Sequence, residues 1–516
     1  MTWVLALILW PLIGACVVTG LRRNDRLAIL TAVAFAIVEL AMIIPTWATY
    51  EPNGARLQHT SSMDWIPSFG VHISFGIDGI ALVMIAVIAF LVPIVIGALG
   101  TADKLPQDRS AGGFLALILV QEAITIAVFA ATDVFLFYVL FEIMLIPMYF
   151  LIGGYGGANR QYAAVKFFLY SFLGGLIMLA SAIGAYSLAA DELGNGTFDW
   201  ATLVTVVRDA PASTQIWLFL GFFLAFAIKA PLVPFHTWLP DAAGEAPIGV
   251  AVLLVGVLDK VGTFGFLRYC LPMFPEASKD LAPLVLVLAV IGVLYGSILA
   301  AGQQDMKRFV AYVSIAHFGF IALGIFAFTQ QATVGAVTYM LNHSLATGML
   351  IVVLGLVIAR GGSMRISDYG GMFKLTPLLG GMLLIAGLST LSLPGTNSFV
   401  SEFLVLLGAF ETQPVYAILA TVGMVLAAAY VLWLYQRLMT GPVRGTALVG
   451  AGGGPGTAIA PELGARKTIR DLGGRELAIL VPMVVLIIGL GFYPQPVLDT
   501  VTPSVDATLS ALNGGQ

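Results

Sequence analysis

Residues 225–247 read AFAIKAPLVPFHTWLPDAAGEAP, an apolar run that holds Lys229 beside Pro231 and Pro234. Proline removes a backbone donor and interrupts a helix. A lysine at bilayer depth costs at least ~2.5–3.5 kcal/mol if it faces lipid. Both are tolerated where the freed carbonyls and the ammonium meet protein or water inside a membrane bundle. The stretch therefore predicts a broken span in a polytopic helical membrane protein.

The remainder of the chain agrees. Of 516 residues, 59% are hydrophobic and 10% charged, against ~25% charged in an ordinary soluble domain. A mean hydropathy of +0.97 over the whole length excludes a soluble enzyme on one anchor, because a single span of ~20 residues could not raise the mean so far. The net charge of -4, with Lys and Arg scattered in ones and twos, offers no basic face, so nucleic acid is not a partner. Cys16 and Cys270 stand far apart without a CxxC, so no iron-sulfur, zinc or disulfide framework is predicted. No GxxxxGK[ST] and no GxGxxG after a strand occurs, and no bound nucleotide is expected. Any redox chemistry then belongs to another chain. The N-terminal apolar stretch lacks a basic n-region and a cleavage site, and reads as a retained first span.

A window of ~19 residues gives fourteen segments, near 3–21, 27–47, 78–99, 112–131, 134–153, 165–190, 216–238, 249–271, 282–302, 309–328, 334–358, 378–410, 415–438 and 477–493. Segments this long suit helices, and the expected fold class is an all-α polytopic membrane protein with 14 transmembrane helices. Span seven is broken at Pro231 and Pro234, span twelve at Pro394-Gly395. Five is an odd offset, so the two breaks run oppositely through the membrane, as in inverted five-helix repeats of spans 4–8 and 9–13. The expected divisions are 1–111, a three-span segment; 112–271 and 272–438, the two repeats; 439–476, a cytoplasmic loop; and 477–516, a final span and tail. The loop holds a Gly-rich run, GAGGGPG, then a basic segment. The run reads as a linker, and the basic part either lies at the lipid surface or a neighbouring subunit or is simply solvated.

Positive residues near span ends favour the cytoplasmic side. With both termini outside, eighteen Lys and Arg fall on the inner side and four, Arg56, Arg208, Arg268 and Lys279, on the outer side; Lys229 and Lys260 complete the 24.

Ionisable residues far from water carry the functional signal. Glu142, Lys229, Lys260, His317, His343 and Glu402 sit on spans five, seven, eight, ten, eleven and twelve. Any one of them could be structural glue, a single ion pair or a hydrogen-bonded histidine. Six at similar depth form a row of titratable groups, which is what a proton relay requires. Glu39 and Glu122 are intramembrane acids without an obvious basic partner. Asp259 neighbours Lys260 but points elsewhere, since adjacent helical residues do not share a face. Gly292 and Gly296 form a GxxxG, a mark of close helix packing.

The quoted stretch, followed by LLVGVLDKVGTFGFLRY (253–269), FEIMLIPMYFLIGGYG (141–156), DMKRFVAYVSIAHFGF (305–320), PGTNSFVSEF (394–403) and GFYPQP (491–496), resembles the antiporter-like subunits of respiratory complex I across nearly the whole chain. Among three sister subunits it is most similar to the NuoM type, in its fourteen spans and in Glu402 where the sisters usually carry lysine. It departs from the family at Ala243, where a histidine commonly stands. The resemblance implies a proton-translocating membrane-arm subunit of NADH:quinone oxidoreductase in a bacterial plasma membrane. Homologous antiporter-like subunits would flank it, and NADH, FMN, Fe-S clusters and quinone would be bound by other subunits. It further implies Glu142 as the acid paired with Lys229, Lys260 as the central carrier, His317 and His343 as polar links, and Glu402 as the exit-side group. The alternatives are a Na+/H+ antiporter subunit of the multisubunit type, which shares this core, a hydrogenase membrane subunit, and an organic-solute transporter.

Overall fold

The computed structural model describes residues 3–102, 105–106, 109–448 and 469–513. Lys104, Arg466 and Lys467, three of the eighteen Lys and Arg counted on the inner side, and the GAGGGPG run lie outside the described residues. In chain order come α1 (Trp3–Gly20) and α2 (Asp25–Ala48), the strands β1 (Gln58–Ile66) and β2 (Val71–Ile77), then α3 (Gly79–Ala98) and α4 (Ala111–Ala130). Next are α5 (Val134–Ile143), α6 (Leu145–Tyr155), α7 (Arg160–Leu193), α8 (Trp200–Arg208), α9 (Ala212–Lys229) and α10 (Trp238–Glu245). The eighth span is built from α11 (Ile248–Leu253), α12 (Lys260–Gly265) and α13 (Leu271–Met273), joined by π-helical turns at Leu254–Leu258 and Phe266–Cys270. Then follow α14 (Pro275–Gly302), α15 (Met306–Phe326), α16 (Gln330–Gly361), α17 (Pro377–Thr390), α18 (Asn397–Thr412), α19 (Pro414–Met439), α20 (Gly474–Phe492) and α21 (Gln495–Leu512).

Thirteen helical segments among the described residues are long and apolar enough to cross a membrane, and Pro377–Thr390 is a shorter apolar helix. The apolar segments 216–238 and 378–410, expected to break at their prolines, are each interrupted. α9 stops at Lys229, and the chain resumes helical form only at Trp238. α17 stops at Thr390 and α18 begins at Asn397. Proline explains both breaks, since neither Pro231 nor Pro394 can donate to the preceding turn. In the first, Leu232 N-H reaches back five residues to the Ala227 carbonyl, and the Trp238 indole donates to the Ile228 carbonyl at 2.8 Å. The break is thus repaired by a side chain, as a low-dielectric interior demands.

Two elements depart from the expected helices and loops. β1 and β2 form an antiparallel hairpin that turns through Gly70, whose φ of 58° is open to glycine at little cost. The tail after the last span is the helix α21, which buries Val497, Val501, Val505 and Leu509 along one stripe. That spacing of four is a helical period.

The bundle is layered about its centre. Span 248–273 is wholly buried, and α15 and α16 nearly so, whereas α2, α19 and α20 present mainly apolar residues outward. Close approach is set by small residues. A Cβ on Gly296 would fall 2.7 Å from the Ala316 nitrogen, and one on Gly319 would fall 2.5 Å from the Ala289 carbonyl. Gly296 thus serves packing, which sets α14 against α15 beside His317, whereas a Cβ on Gly292 would meet only ordinary contacts at 3.8–3.9 Å.

Two backbone bridges repeat at matching places. Asp133, ahead of α5, pairs with Asp199 beyond α7; Asp305, ahead of α15, pairs with Arg365 beyond α16. Each aspartate also caps its helix, Asp133 accepting from Leu136 N-H and Asp305 from Lys307 and Arg308 N-H.

At one end of the eighth span, Arg268 pairs with Asp78 at 2.7 Å, both buried. Its guanidinium lies 5.1 Å from the rings of Trp200 and Phe264, while Arg56 covers the same Trp200 at 4.8 Å. Burial, and then the charge of Arg268, bring the Arg56 guanidinium down to about 10. Asp78→Ala would strand the buried Arg268 charge and is expected to cost about 3–5 kcal/mol. The measurement is thermal unfolding of the detergent-solubilised protein; a wild-type transition would mean this pair does not hold the eighth span.

Candidate functional site

Lys260 stands at the start of α12, immediately after the first π turn. π turns leave carbonyls that the α pattern would have used, and side chains take them here. The Lys260 ammonium donates to the Val255 carbonyl and the Ser344 hydroxyl to the Gly256 carbonyl. Lys260 Nζ also lies 2.6 Å from His343 Nδ1 and 5.0 Å from the Phe318 ring. A fully buried lysine thus has three kinds of partner, which offsets its desolvation.

From Lys260 the polar groups continue across α16, α15 and α18. The His343 and His317 ring centroids are 5.2 Å apart. His317 Nδ1 lies 3.0 Å from the Tyr339 hydroxyl, which donates to Glu402 Oε2 at 2.9 Å. With that proton committed to Glu402, the hydroxyl can only accept from His317, so His317 Nδ1 carries its hydrogen toward Tyr339. Glu402 Oε2 also accepts from the Ser392 hydroxyl. Ser392 lies in the break between α17 and α18 and has φ 61°. Beside it, Asn342 and Asn397 exchange hydrogen bonds, with Asn342 Nδ2 donating to the Asn397 carbonyl at 2.8 Å. Four of the six expected residues, Lys260, His343, His317 and Glu402, therefore meet in one cluster.

Glu142 and Lys229 are arranged differently. Lys229, the last residue of α9, is wholly buried and its ammonium makes no hydrogen bond. It sits 5.3 Å from the rings of both Phe141 and Phe167, and the carbonyl end of its own helix favours a cation there. Glu142, in the last turn of α5, lays its carboxylate on Gly175 of α7, where an added Cβ would displace it. Both its oxygens are buried without a hydrogen bond. No hydrogen bond joins it to Lys229 among the described residues, although the two charges act on each other.

Sequence reasoning missed Tyr339 and Ser392. Tyr339 is four residues before His343 and so on the same helix face, and Ser392 stands just before Pro394-Gly395; both signals were present. Asp259, next to Lys260 but on another face of the helix, is also wholly buried, with neither carboxylate oxygen hydrogen-bonded. Glu39 and Glu122 are likewise buried without hydrogen bonds. Ala243, the position where a histidine was expected, lines a small apolar cavity with Ala251, Val255 and Val310.

The class that this fold and site define is a polytopic helical membrane protein with a buried line of acids, lysines and histidines. Residues 131–427 match the family described as NADH:quinone oxidoreductase/Mrp antiporter, TM. The NADH-quinone oxidoreductase subunit M of Mycobacterium tuberculosis (strain ATCC 25618 / H37Rv) is 44% identical over 99% of this chain and 94% of its own. A chain of respiratory complex I from Thermus thermophilus with bound NADH superposes with a TM-score of 0.85 at 30% identity, over 99% of this chain and 100% of that one. A chain of the Mrp complex from Dietzia sp. DQ12-45-1b shares the fold, with a TM-score of 0.79 at 21% identity over 99% of this chain and 52% of that one. The chain belongs to the NADH:quinone oxidoreductase/Mrp antiporter transmembrane family, and relatives that match it over nearly their whole length include subunits M of NADH-quinone oxidoreductase.

Tyr339→Phe keeps the ring but removes the hydroxyl between His317 and Glu402. If protons pass there, the variant is expected to assemble normally and to lose proton transfer by about 10²-fold, the scale of a positioned proton-transfer group. Proton uptake by sealed vesicles measures it, and wild-type uptake would remove Tyr339 from the path.

Proposed function

We propose that this chain is a proton-translocating membrane-arm subunit of NADH:quinone oxidoreductase, passing protons through its row of buried Glu, Lys and His. The observation that carries this reading is the sequence of contacts Lys260–His343 and His317–Tyr339–Glu402–Ser392. Each member can both hold and release a proton, and Tyr339 and Ser392 can relay one by exchanging donor and acceptor roles. Glu142, Lys229, Lys260, His317, His343 and Glu402 are the working residues. Withdrawing Glu142 from the neighbourhood of Lys229, on a signal from an adjoining subunit, removes an opposite charge from a desolvated ammonium and favours proton release. The proton then moves toward Lys260 and on to Glu402. NADH, FMN, Fe-S clusters and quinone are held by other subunits, and homologous antiporter-like subunits lie on either side in a bacterial plasma membrane.

In this reading the chain has fourteen spans, the twelfth being α17 and α18 together. Residues 112–271 and 272–438 are the inverted repeats, 1–111 precedes them, and the 439–476 loop and the 477–516 span and tail follow. The paired bridges Asp133–Asp199 and Asp305–Arg365 support the repeat. So do the helix ends at Gly194 (φ 76°) and Gly362 (φ 82°) after α7 and α16. Termini on the outer side are supported by charges that gather as counted. Lys166 and Arg308, both inner, share Asp241 at 2.7 Å each, and Arg56 and Arg268, both outer, share Trp200.

A multisubunit Na+/H+ antiporter is the second reading, favoured only by the shared core. Co-purification separates them: flavin and iron-sulfur subunits are expected to accompany the chain. Glu142→Ala in an assembled complex is expected to lose most proton translocation, by tenfold or more, and Glu142→Asp to retain a substantial part. Normal pumping by Glu142→Ala would take Glu142 out of the mechanism.

A further inference from the structure

The two parts of the site are separate in contact but not in charge, and one residue lies between them. Asp259 is wholly buried, and neither carboxylate oxygen has a hydrogen-bond partner. An unpaired carboxyl in such a place costs stability, and its presence calls for an explanation. Its direction follows from the helix. Gly262, one turn on, lies on the same stripe, and a Cβ there would fall 2.5 Å from the Ala230 nitrogen and the Phe226 carbonyl. Gly265 meets the Phe226 ring in the same way. This stripe therefore rests on the carbonyl end of α9, where Lys229 stands. Lys260, one residue further and about 100° round the helix axis, faces α16 and His343 instead. Asp259 is thus the acid of the eighth span turned toward the first half of the site while its neighbour serves the second.

Resting on the reading that this chain translocates protons, we propose that Asp259 is a proton carrier between Lys229 and Lys260, joining the two halves of the row. When Glu142 is withdrawn, the Lys229 ammonium gives its proton to the Asp259 carboxylate, leaving a neutral amine and a carboxylic acid. Lys260, emptied onto His343, then takes that proton as a neutral amine and becomes an ammonium, and Asp259 returns to a carboxylate. Net charge is conserved at each transfer, so the interior never holds an additional ion. One carboxylate between two lysines can balance only one ammonium at a time, which ties the loading of Lys260 to the emptying of Lys229.

The test uses the whole complex in sealed membrane vesicles, with Asp259→Asn, Asp259→Glu and Lys260→Ala, each checked for assembly on native gels. Asp259→Asn keeps shape and hydrogen-bonding capacity but cannot carry a proton. It is expected to lower protons moved per NADH oxidised at least fivefold, with Asp259→Glu retaining more than half. A merely structural role would be met by the isosteric Asn at least as well as by the longer Glu. Wild-type pumping by Asp259→Asn alongside loss in Lys260→Ala would overturn the carrier role and leave the translocation reading standing. Wild-type pumping by both would overturn both. Where Asp259→Asn fails to assemble, turnover-induced infrared spectra of the wild-type and Asp259→Glu complexes decide. A carboxylic C=O band that moves with the substitution supports the transfer, and the absence of such a band overturns it.

Discussion

A charge in a low-dielectric interior must be met by something, and most of what is unusual in this molecule answers that demand at Lys260. Its span is wholly buried, so water at a surface cannot solvate the ammonium. The backbone itself is altered to do so. The π turn ahead of the residue releases the Val255 carbonyl to the ammonium, and His343 and the Phe318 ring complete its surroundings. The same demand recurs at the helix breaks. There the interrupted backbone is repaired by Trp238 in one case and lined with Ser392, Asn397 and Glu402 in the other.

The two halves of the site solve this problem by different means, and the difference suits their tasks. Around Lys229 the neighbours are aromatic faces and distant carboxylates, interactions that depend weakly on angle and let a charge come and go. From Lys260 to Glu402 hydrogen bonds of 2.6–3.0 Å, which fix direction, lie on either side of a ring contact between His343 and His317. On the proposed function, the first arrangement suits a group whose partner moves, the second a group that hands a proton onward. Close packing keeps them in place: glycines at 262, 296 and 319 let helices approach until backbone meets backbone, so the side chains between them have little room to drift.

Much was legible in the chain itself. Hydropathy over windows of helix length marked the thirteen long apolar helices among the described residues, because hydrocarbon admits only segments that satisfy their own backbone. The two breaks were visible at Pro231, Pro234 and Pro394, for the covalent reason that proline has no N-H to give. The buried row of Glu142, Lys229, Lys260, His317, His343 and Glu402 stood out because ionisable residues are rare in such segments. The hairpin at 58–77 was less visible, since a short polar pairing outside the apolar core leaves no long periodic pattern.

What only the tertiary structure decided is which of these groups touch. Hydropathy gives depth along one helix but not the rotation of that helix against its neighbours, and a hydrogen bond depends on both. Tyr339 became the link between His317 and Glu402, and Glu142 came to rest on Gly175 short of Lys229. Asp259 turned toward α9 while Lys260 turned toward α16. One residue is about 100° of helix, and packing alone determines what lies in each direction.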